Sequence, residues 1–389
     1  MNLQFRLIID NWFEFTLLNR TIGGTLVVYK IFDLSEKESW YEYLERTVSQ
    51  DIYFTPEYFE ISEKNKEGKA QLFIYENGQD FVYYPFLLRI LNDLPCAEDI
   101  RRKYGDLYDI TTPYGYGGPI TNIKEESTKK QLFSQFEESF HSFCSQNNII
   151  SEFVRFHPLI RNDKDYKDIE STLNRHTIYV DLSLDLHDIW ANYDNKNRNR
   201  LRKAQTNEYF TMVHRSPSEL DNFMNLYYKT MDKKNAYEYY YFQRAYFENS
   251  VELLRDHLEL IEVLMGDKVI LSCFFMHYGD FIHYHLLGSD EEYMNYSPNN
   301  SLIHYVVEWA KSKGKKFLHL GGGYAGDTDT LYRFKKRFNK YGDLPFYIGK
   351  RIRNEEIYHQ LVKDLPVAEN YFPLYRHPDF TLQTHLSKR

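Results

Sequence analysis

The 389 residues of this sequence predict two or three domains, each with its own core, and a formal net charge of −8 at pH 7 argues against a surface devoted to DNA. The 3 cysteines are far apart and form no CxxC pair, which excludes a disulfide framework and a cysteine zinc site. No signal-peptide pattern and no uncharged apolar run of bilayer-spanning length is present, so we predict a cytoplasmic protein.

Short strands and helices alternate in the first half of the chain. Two β-rich runs flank Asn77-Gly78, a strong signal for a hairpin turn. Pro56 fits the first turn of a helix, where its missing N–H is not needed. The predicted strands are 25–32, 70–75, 81–90 and 149–156, and the predicted helices are 39–49 and 129–146, while 51–60 is predicted as a loop that enters a short helix.

A similar order of elements fills the second half. Gly266-Asp267 separates two strands of another hairpin, and Ser216 begins a helix with a Ser-Pro-Ser-Glu capping arrangement. The predicted strands are 176–182, 210–214, 258–264, 269–277, 281–287, 317–320 and 345–349. The predicted helices are 186–205, a segment from Ser216, 301–311, a segment from Leu331, and 351–363.

Two segments are rich in tyrosine. Segment 109–120, DITTPYGYGGPI, has too many Gly and Pro residues for a helix or a central strand. It is either an ordered connection or a substrate-lining loop that carries Tyr114 and Tyr116. Tyr228 lies among lysines late in the helix from Ser216, a mixture that suits a nucleotide-sugar, a polyanion or the edge of an aromatic core.

The predicted helix 186–205 ends in a basic run, KNRNRLRK, which contains no acidic residue. Such a run is either a solvated face or a clamp for phosphate groups, which arginine binds through paired N–H groups. For the clamp we select Arg198 and Arg202 as substrate-binding residues.

The stretch 317–340 combines an apolar run, a glycine turn and an amphipathic helix. At about 100° per residue, Leu331, Phe334 and Phe338 share one face of the helix, and Lys335 lies at the edge of that face. A lysine in this position either extends its ammonium to water along apolar surface or is placed there for a function.

Three glycines and Tyr324 precede this helix. A strand–glycine–helix arrangement can aim the N–H groups of Gly322 and Gly323 at an anion or an oxyanion, because no Cβ prevents a close approach. The alternative is a tight turn that needs unusual dihedral angles. Neither G-x-G-x-x-G nor G-x-x-x-x-G-K-[ST] is present.

The histidines of the second half do not form a recognisable site. His283 and His285 would share one face of a strand, with His277 nearby, yet no neighbouring carboxylate or cysteine completes a ligand set. We therefore predict no metal site. Ser289-Asp290 does not complete a nucleophile–base arrangement either.

Four motifs give the chain a resemblance to a known family. They are YGYGGPI, NRNRLRKA, the strand meander 258–288 and LGGGYAGDTDTLYRFKKRF. From about residue 53 to 350, the chain resembles the FemAB-type acyltransferases of the GNAT superfamily, which include the peptidoglycan-bridge aminoacyltransferases. The resemblance implies an α/β (α+β) fold with two tandem GNAT-like domains, each a mixed, mainly antiparallel sheet flanked by helices, and a cleft between them. The expected units are an N-terminal domain, a catalytic C-terminal domain, and a helix and tail packed back on the body, at 1–180, 181–350 and 351–389.

The resemblance also implies an activity. Family members transfer an aminoacyl group from aminoacyl-tRNA, or an acyl group from a thioester, to an amine of a cell-envelope precursor, including glycans and muropeptides that can be linked to a membrane lipid. Phe334 and Lys335 match the Phe-Lys pair of the family, so Lys335 would stabilise the charge on the attacked carbonyl. No permanently bound cofactor is expected, only acyl-CoA or aminoacyl-tRNA as a co-substrate.

Two departures from the family pattern leave the donor open. The long helical hairpin that helps to hold tRNA is missing, and so is the GNAT pyrophosphate loop ahead of Ser301. The base that accepts the amine proton is Asp109, Asp327 or the substrate itself, and the sequence does not distinguish among them. The alternative to an enzyme is a non-catalytic tandem GNAT-like module that binds a nucleotide-sugar or a glycan.

Overall fold

The computed structural model of the protein describes residues 20–22, 25–27, 29–92, 94–234, 241–324, 329–366 and 371–378. The strands are β1 (Arg20–Ile22), β2 (Thr25–Val27), β3 (Tyr29–Phe32), β4 (Lys69–Asn77), β5 (Asp80–Ile90), β6 (Tyr108–Thr111), β7 (Ile120–Thr121), β8 (Ile149–Arg155), β9 (Glu170–Asp181), β10 (Thr211–Arg215), β11 (Leu258–Met265), β12 (Lys268–Tyr278), β13 (Phe281–Ser289), β14 (Phe317–Gly322) and β15 (Asp343–Ile352). The helices are α1 (Lys37–Leu44), α2 (Pro56–Lys64), α3 (Glu98–Tyr104), α4 (Glu126–Gln146), α5 (Leu186–Asn192), α6 (Asn195–Thr206), α7 (Leu220–Lys233), α8 (Arg244–Leu254), α9 (Pro298–Ser312), α10 (Thr330–Lys336) and α11 (Glu355–Val362).

One mixed sheet of 13 strands extends through both halves, in the order β10-β11-β12-β13-β14-β9-β15-β8-β6-β5-β4-β3, with β7 paired to β5. Two of the strand pairs, β6 with β8 and β13 with β14, are parallel. Parallel neighbours need a crossover connection, and α4 and α9 provide it. Each half therefore has a hairpin followed by a parallel pair, which confirms the repeated α/β unit and the mixed, mainly antiparallel sheet.

Both predicted hairpins are present. Asn77 pairs with Asp80 where β4 turns into β5, and Gly78 takes a φ of 67° at the turn. Glycine adopts this left-handed conformation without the steric conflict that a Cβ would create. The second hairpin, at Gly266, joins β11 to β12 in the same way.

Two long strands join the halves. β9 pairs with β14 of the second half, and β15 pairs with both β9 and β8 of the first half. The boundary expected at 180/181 thus falls at the end of a strand that contacts both halves. The described part of the C-terminal segment packs on the first half, where Tyr375 Oη lies 2.6 Å from Ser151 Oγ.

Aromatic side chains fill the interface between the halves on one face of the sheet. Residues of α1 and α2, among them Trp40 and Phe59, belong to the same buried cluster as Phe223 and Phe247 of α7 and α8. Two other clusters lie against α4 in the first half and against α9 in the second half, and a further one joins α3 to α11 and Tyr375. The expected cleft is therefore closed by packed rings on this face.

Some predicted elements differ from the structure. The predicted helix 186–205 is two helices, because the carboxylate of Asp194 accepts a hydrogen bond from the N–H of Asn197 at 2.6 Å and starts α6. Helices α3 and α8 were not predicted; α8 follows a run of tyrosines that obscures its apolar period. β9 begins at Glu170 rather than at residue 176.

None of the helices within the described ranges combines the length and the apolar character that crossing a membrane requires.

Candidate active site

The parallel strands β13 and β14 separate after a short paired stretch. Their pairing with each other ends at His283 and His319. Beyond this point each strand keeps only its other neighbour, which is β12 for β13 and β9 for β14. A bulge lies on β14 between His319 and Gly321, and Gly321 takes a φ of 73°. The two strands therefore open into a gap that begins beside Tyr284.

Lys335 enters this gap from α10. Asp329 caps the helix by accepting a hydrogen bond from the N–H of Tyr332 at 2.8 Å. The Lys335 residue is only 7% exposed, its Nζ donates to the carbonyl oxygen of Gly322 at 2.7 Å, and Nζ lies 5.7 Å from the centre of the Tyr284 ring. The ammonium is held inside the protein, so the interpretation in which it extends to water is wrong.

The surroundings of Lys335 disfavour its charged form. Burial is the main cause that lowers the pKa of Lys335 to about 7, and the charges of Lys234 and Arg175 lower it further, against the opposing effects of Asp329 and Cys273. Lys335 forms no ion pair with any residue in the described ranges. A buried amine that titrates near neutral pH is typical of functional sites.

Two further cations lie next to Lys335. Arg175 Nη1 donates to the carbonyl oxygens of Gly323 at 2.9 Å and Tyr324 at 3.1 Å, and Lys234 Nζ lies 4.7 Å from the centre of the Tyr324 ring. The glycine turn thus meets Lys335 and Arg175 through carbonyl oxygens, whereas we expected its N–H groups to serve an oxyanion. Arg175 is separated from the turn by 148 residues, so sequence reasoning missed it.

Phe334 lines a cavity of about 610 Å³ at the start of α9. Arg200 and Lys203 line the same cavity and form no ion pair within the described part of the chain. Ser297, the residue before the helix, makes no side-chain cap, so the first turn of α9 lacks the hydrogen bonds that a capping side chain would supply. Free cations at the positive end of a helix favour an anion in this cavity.

The arginines selected for the phosphate clamp lie on another face of α6. Arg198 Nη1 is 3.4 Å from the carbonyl oxygens of Trp190 and Ala191, and the Arg202 guanidinium lies 5.6 Å from the centre of a Trp190 ring. The structure therefore does not bring Arg198 and Arg202 to the cavity, which Arg200 and Lys203 line instead. The run in which basic and neutral residues alternate predicted a basic helix, but it did not predict which face of that helix meets the cavity.

The loop 112–119 places two tyrosines beside the second half. Gly117 N–H donates to the carbonyl oxygen of Arg155 at 2.7 Å, so the loop closes the end of the parallel pair β6 and β8. The ring of Tyr116 lies 5.2 Å from the ring of His319, and that of Tyr114 lies 6.1 Å from the ring of His285. Both rings contact β13 or β14.

Tyr228 belongs to the aromatic interface between the halves. Its hydroxyl donates to the carbonyl oxygen of Phe242 at 2.8 Å, and its ring lies 5.9 Å from that of Tyr227. These contacts do not bring Tyr228 to Lys335.

The start of α4, the crossover helix of the first half, is capped by an acidic side chain. The carboxylate of Glu125 caps α4 by accepting hydrogen bonds from the N–H groups of Ser127 at 3.0 Å and Thr128 at 2.7 Å. A carboxylate already occupies the helix end at which an anion would bind.

Asp51, His157 and His283 form a buried cluster where the halves meet. The Asp51 carboxylate lies 2.6 Å from His157 Nε2 and 2.8 Å from His283 Nε2. Our argument that no carboxylate lies near His283 was wrong, because Asp51 is 232 residues away in sequence. The Nδ1 atom of His157 accepts the N–H of Ile160 at 3.1 Å, so its Nε2 carries the proton and donates to Asp51 instead of binding a metal.

The structure rules out the hypothesis that Asp109 is the base that accepts the amine proton. It is fully buried and accepts hydrogen bonds from Arg89 Nε at 2.7 Å and Arg376 Nε at 2.8 Å. Although burial by itself would raise its pKa, Arg89 and Arg376 hold the pKa of Asp109 below its ordinary value. The other candidate, Asp327, lies outside the described residues.

Comparison with known proteins places the gap and Lys335 within a recognised domain. Residues 191–336 match the family model described as an acetyltransferase (GNAT) domain. The crystal structure of FemX is similar at a TM-score of 0.63 and 14% identity, over 86% of this chain and 99% of that one. A conserved protein of unknown function from Bacteroides thetaiotaomicron VPI-5482 has a TM-score of 0.51 at 12% identity, over 84% of this chain and 99% of that one. No curated protein sequence matches the chain.

The match covers α6, α9, β14 and α10, the elements that build the gap and its cavity, and the FemX-like fold extends over most of the chain. The second half of the chain therefore contains a region that matches the GNAT acetyltransferase domain, within a fold that is similar to that of FemX over most of the chain.

Proposed function

We propose that this protein transfers an acyl or aminoacyl group from an activated ester or thioester to an amine, and that Lys335 stabilises the oxyanion formed on the donor carbonyl. The observation that carries the proposal is the buried Lys335 ammonium in the gap between β13 and β14. An ammonium in such a place has little hydration to lose when it meets a developing negative charge.

The reaction would proceed by direct attack. A neutral amine adds to the carbonyl carbon of the donor, and the oxygen of the tetrahedral intermediate accepts a hydrogen bond from Lys335. A pKa of about 7 means that near neutral pH a substantial fraction of Lys335 remains protonated, and an oxyanion beside it would favour that form. Holding both substrates in the gap supplies a further part of the rate.

The donor would enter from the cavity beside Phe334. Arg200 and Lys203 would bind its phosphates, aided by the positive end of α9. Acyl-CoA and aminoacyl-tRNA both carry phosphates and an activated acyl group, so both are tested as co-substrates, and no resident cofactor is part of the proposal.

The acceptor would approach from the side of Tyr116. Its class comes from the resemblance: an amine on a cell-envelope glycan or a peptidoglycan precursor, in the cytoplasm or linked to a lipid at the membrane surface. The ring of Tyr116, close to His319, offers an aromatic surface for such a molecule.

The test is amide formation detected by mass. Purified protein is incubated with a panel of acyl-CoA thioesters and charged tRNAs and with amine-bearing muropeptides and amino sugars. We expect a product in which one donor acyl group is joined to one acceptor nitrogen, and its loss in Lys335→Met but not in Lys340→Met, since Lys340 is exposed. Binding of donor and acceptor without any product would favour the non-catalytic module.

A further inference from the structure

The two faces of β13 carry different chemistry at the gap. Successive side chains of a strand point to opposite faces, so His283 lies on the face opposite Tyr284, the ring that contacts Lys335. His283 is also the last residue of β13 that pairs with β14. The strand thus places an imidazole on one side of the gap and the buried ammonium on the other.

Asp51 fixes the orientation and the tautomer of His283. The two carboxylate oxygens of Asp51 lie 2.8 and 3.0 Å from His283 Nε2, and Asp51 also accepts the N–H of Ile52. Since a carboxylate accepts hydrogen bonds, Nε2 of His283 is the protonated nitrogen. Its Nδ1 is then left with a free lone pair.

No group in the described ranges bonds to that lone pair. His283 is 1% exposed, and its Nδ1 is buried without a hydrogen-bond partner. An unsatisfied buried acceptor is rare in proteins and calls for a reason. An imidazole whose far nitrogen is held by a carboxylate, and whose near nitrogen is free, has the arrangement of a general base.

His157 cannot take over this role. It donates from Nε2 to Asp51, and its Nδ1 accepts N–H groups from the backbone of Leu159 and Ile160, so both of its ring nitrogens are engaged. His157 contributes a second donor to the carboxylate. Burial by itself would raise the pKa of Asp51, but His283 and His157 hold this pKa below its ordinary value. The carboxylate is therefore ionised at neutral pH.

The groups that face His283 are aromatic or neutral apart from Asp51. The ring of Tyr53 lies 4.8 Å from its ring, that of His319 lies 5.5 Å away, and that of Tyr116 lies 6.4 Å away. Burial lowers the pKa of His319 well below its ordinary value, so His319 is neutral. Tyr116 is the partly exposed member of this shell, so an acceptor held against its ring would approach His283 from that side.

We propose that His283 is the base that accepts the proton of the attacking amine, and that Asp51 is its positioning residue; this inference rests on the proposed acyl transfer. As the amine nitrogen bonds to the donor carbonyl carbon, one N–H proton passes to Nδ1 of His283. The bond from the carbonyl carbon to the ester oxygen or thioester sulfur then breaks, and the leaving atom keeps the electron pair. The imidazolium returns the proton to that atom, so no further reagent is consumed.

The first test needs no substrate. In ¹⁵N-labelled protein, NMR of the imidazole nitrogens reports which ring nitrogen of each histidine carries a proton. At neutral pH we expect His283 to be protonated on Nε2 only, and Asp51→Asn to redistribute its tautomers. A doubly protonated His283, a proton on Nδ1, or a shift of both His157 and His283 on addition of Zn²⁺ would overturn the proposal.

The second test is kinetic and uses the donor and acceptor for which the wild-type protein forms amide. We expect His283→Gln to lower kcat about a hundredfold with little change in KM, and Asp51→Asn to lower kcat less, because the imidazole is kept but loses its carboxylate partner. His285→Gln is the matched control, because His285 lies on the same face of β13 but has no carboxylate partner in the described ranges. A normal kcat in folded His283→Gln would overturn the proposal.

Failure of the proposed function has a different signature. If the wild-type protein forms no amide with any pair, acyl transfer itself is wrong, whereas the NMR result still reports the state of His283. If His283→Gln does not fold, the Asp51→Asn variant provides the test, because it retains the imidazole of His283. An unchanged kcat together with unchanged tautomers of His283 in this variant would contradict a positioning role for Asp51.

Discussion

Lys335 and Gly322 are joined by a hydrogen bond of 2.7 Å between the ammonium and the last carbonyl oxygen of β14. An ammonium has three N–H donors, and this contact uses one of them. The remaining donors can meet a substrate oxygen while the bond to Gly322 keeps the lysine in place. The glycine turn therefore aims a cation into the gap, whereas we expected it to present its own N–H groups.

Replacing Lys335 by Met should separate activity from stability. We expect kcat to fall about 10²–10³-fold, the typical loss of one oxyanion contact. The folded protein should be at least as stable as the wild type, because a buried charge without an ion pair is replaced by an apolar chain of similar length. Turnover assays and urea unfolding measure the two effects, with Lys340→Met as the control.

The stability difference should also depend on pH. Folding lowers the pKa of Lys335 from 10.5 to about 7, so the penalty for burying the charge is fully present below pH 7 and disappears as the pH rises toward 10.5. Lys335→Met should exceed the wild type in stability by up to a few kcal/mol at about pH 6 and by much less at about pH 9. An equal difference at both pH values would show that Lys335 is not buried in solution.

The protonation of Lys335 should appear in the rate. If the cation stabilises the oxyanion, single-turnover rates fall as the pH rises through about 7, provided that the acceptor amine stays neutral over the range. Lys335→Arg retains a permanent charge, so any activity it keeps should lack this decline. A wild-type rate that instead rises through the same range would assign Lys335 the role of a base.

The parts of the site that were predicted from the sequence all lie within one short stretch. The strand, the glycine turn, α10 and the placement of Lys335 at the edge of an apolar face follow from local periodicity, which depends on residues that are three or four positions apart. The resemblance added the role of Lys335. Where the chemistry depends on neighbours in sequence, pattern reasoning was sufficient.

The rest depends on contacts between distant segments. His283 acquires a carboxylate from Asp51, and the glycine turn acquires Arg175, through a sheet that pairs strands from both halves. No spacing rule predicts such neighbours. The face of α6 was also undetermined, because every second residue from Lys196 to Arg202 is basic and each helix face therefore carries a cation.

Arg200 and Lys203 should control donor binding. Replacing both by Gln should raise the KM for the donor about tenfold or more and reduce its salt dependence, because two phosphate contacts are lost. The double variant of Arg198 and Arg202 is a matched control on the same helix, since these side chains contact α5. A larger effect in the control would restore the clamp that the sequence suggested.

Arg376 should hold the C-terminal segment on the first half. Arg376→Met leaves Asp109 buried with Arg89 as its remaining arginine partner within the described residues, and losing one partner of a buried pair reduces stability by about 3–5 kcal/mol. Because the folded-state pKa of Asp109 is lowered, its contribution is present above the unfolded pKa of about 3.8 and is lost as the pH falls below it. Urea unfolding at neutral and acidic pH measures this, and the folded fraction should keep its normal turnover.

Gly321 should be required for the position of Lys335 and not only for the turn. Its φ is 73°, and a Cβ at this position would lie 3.3 Å from Lys335 Nζ. Gly314 is a matched control, with a φ of 74° and no atom within 4 Å of the added Cβ. Alanine in this left-handed region should reduce stability by about 1–2 kcal/mol at either position. Only Gly321→Ala should also lower kcat, because it displaces the ammonium, and equal kcat values in the two variants would show that the gap adapts around the new methyl group.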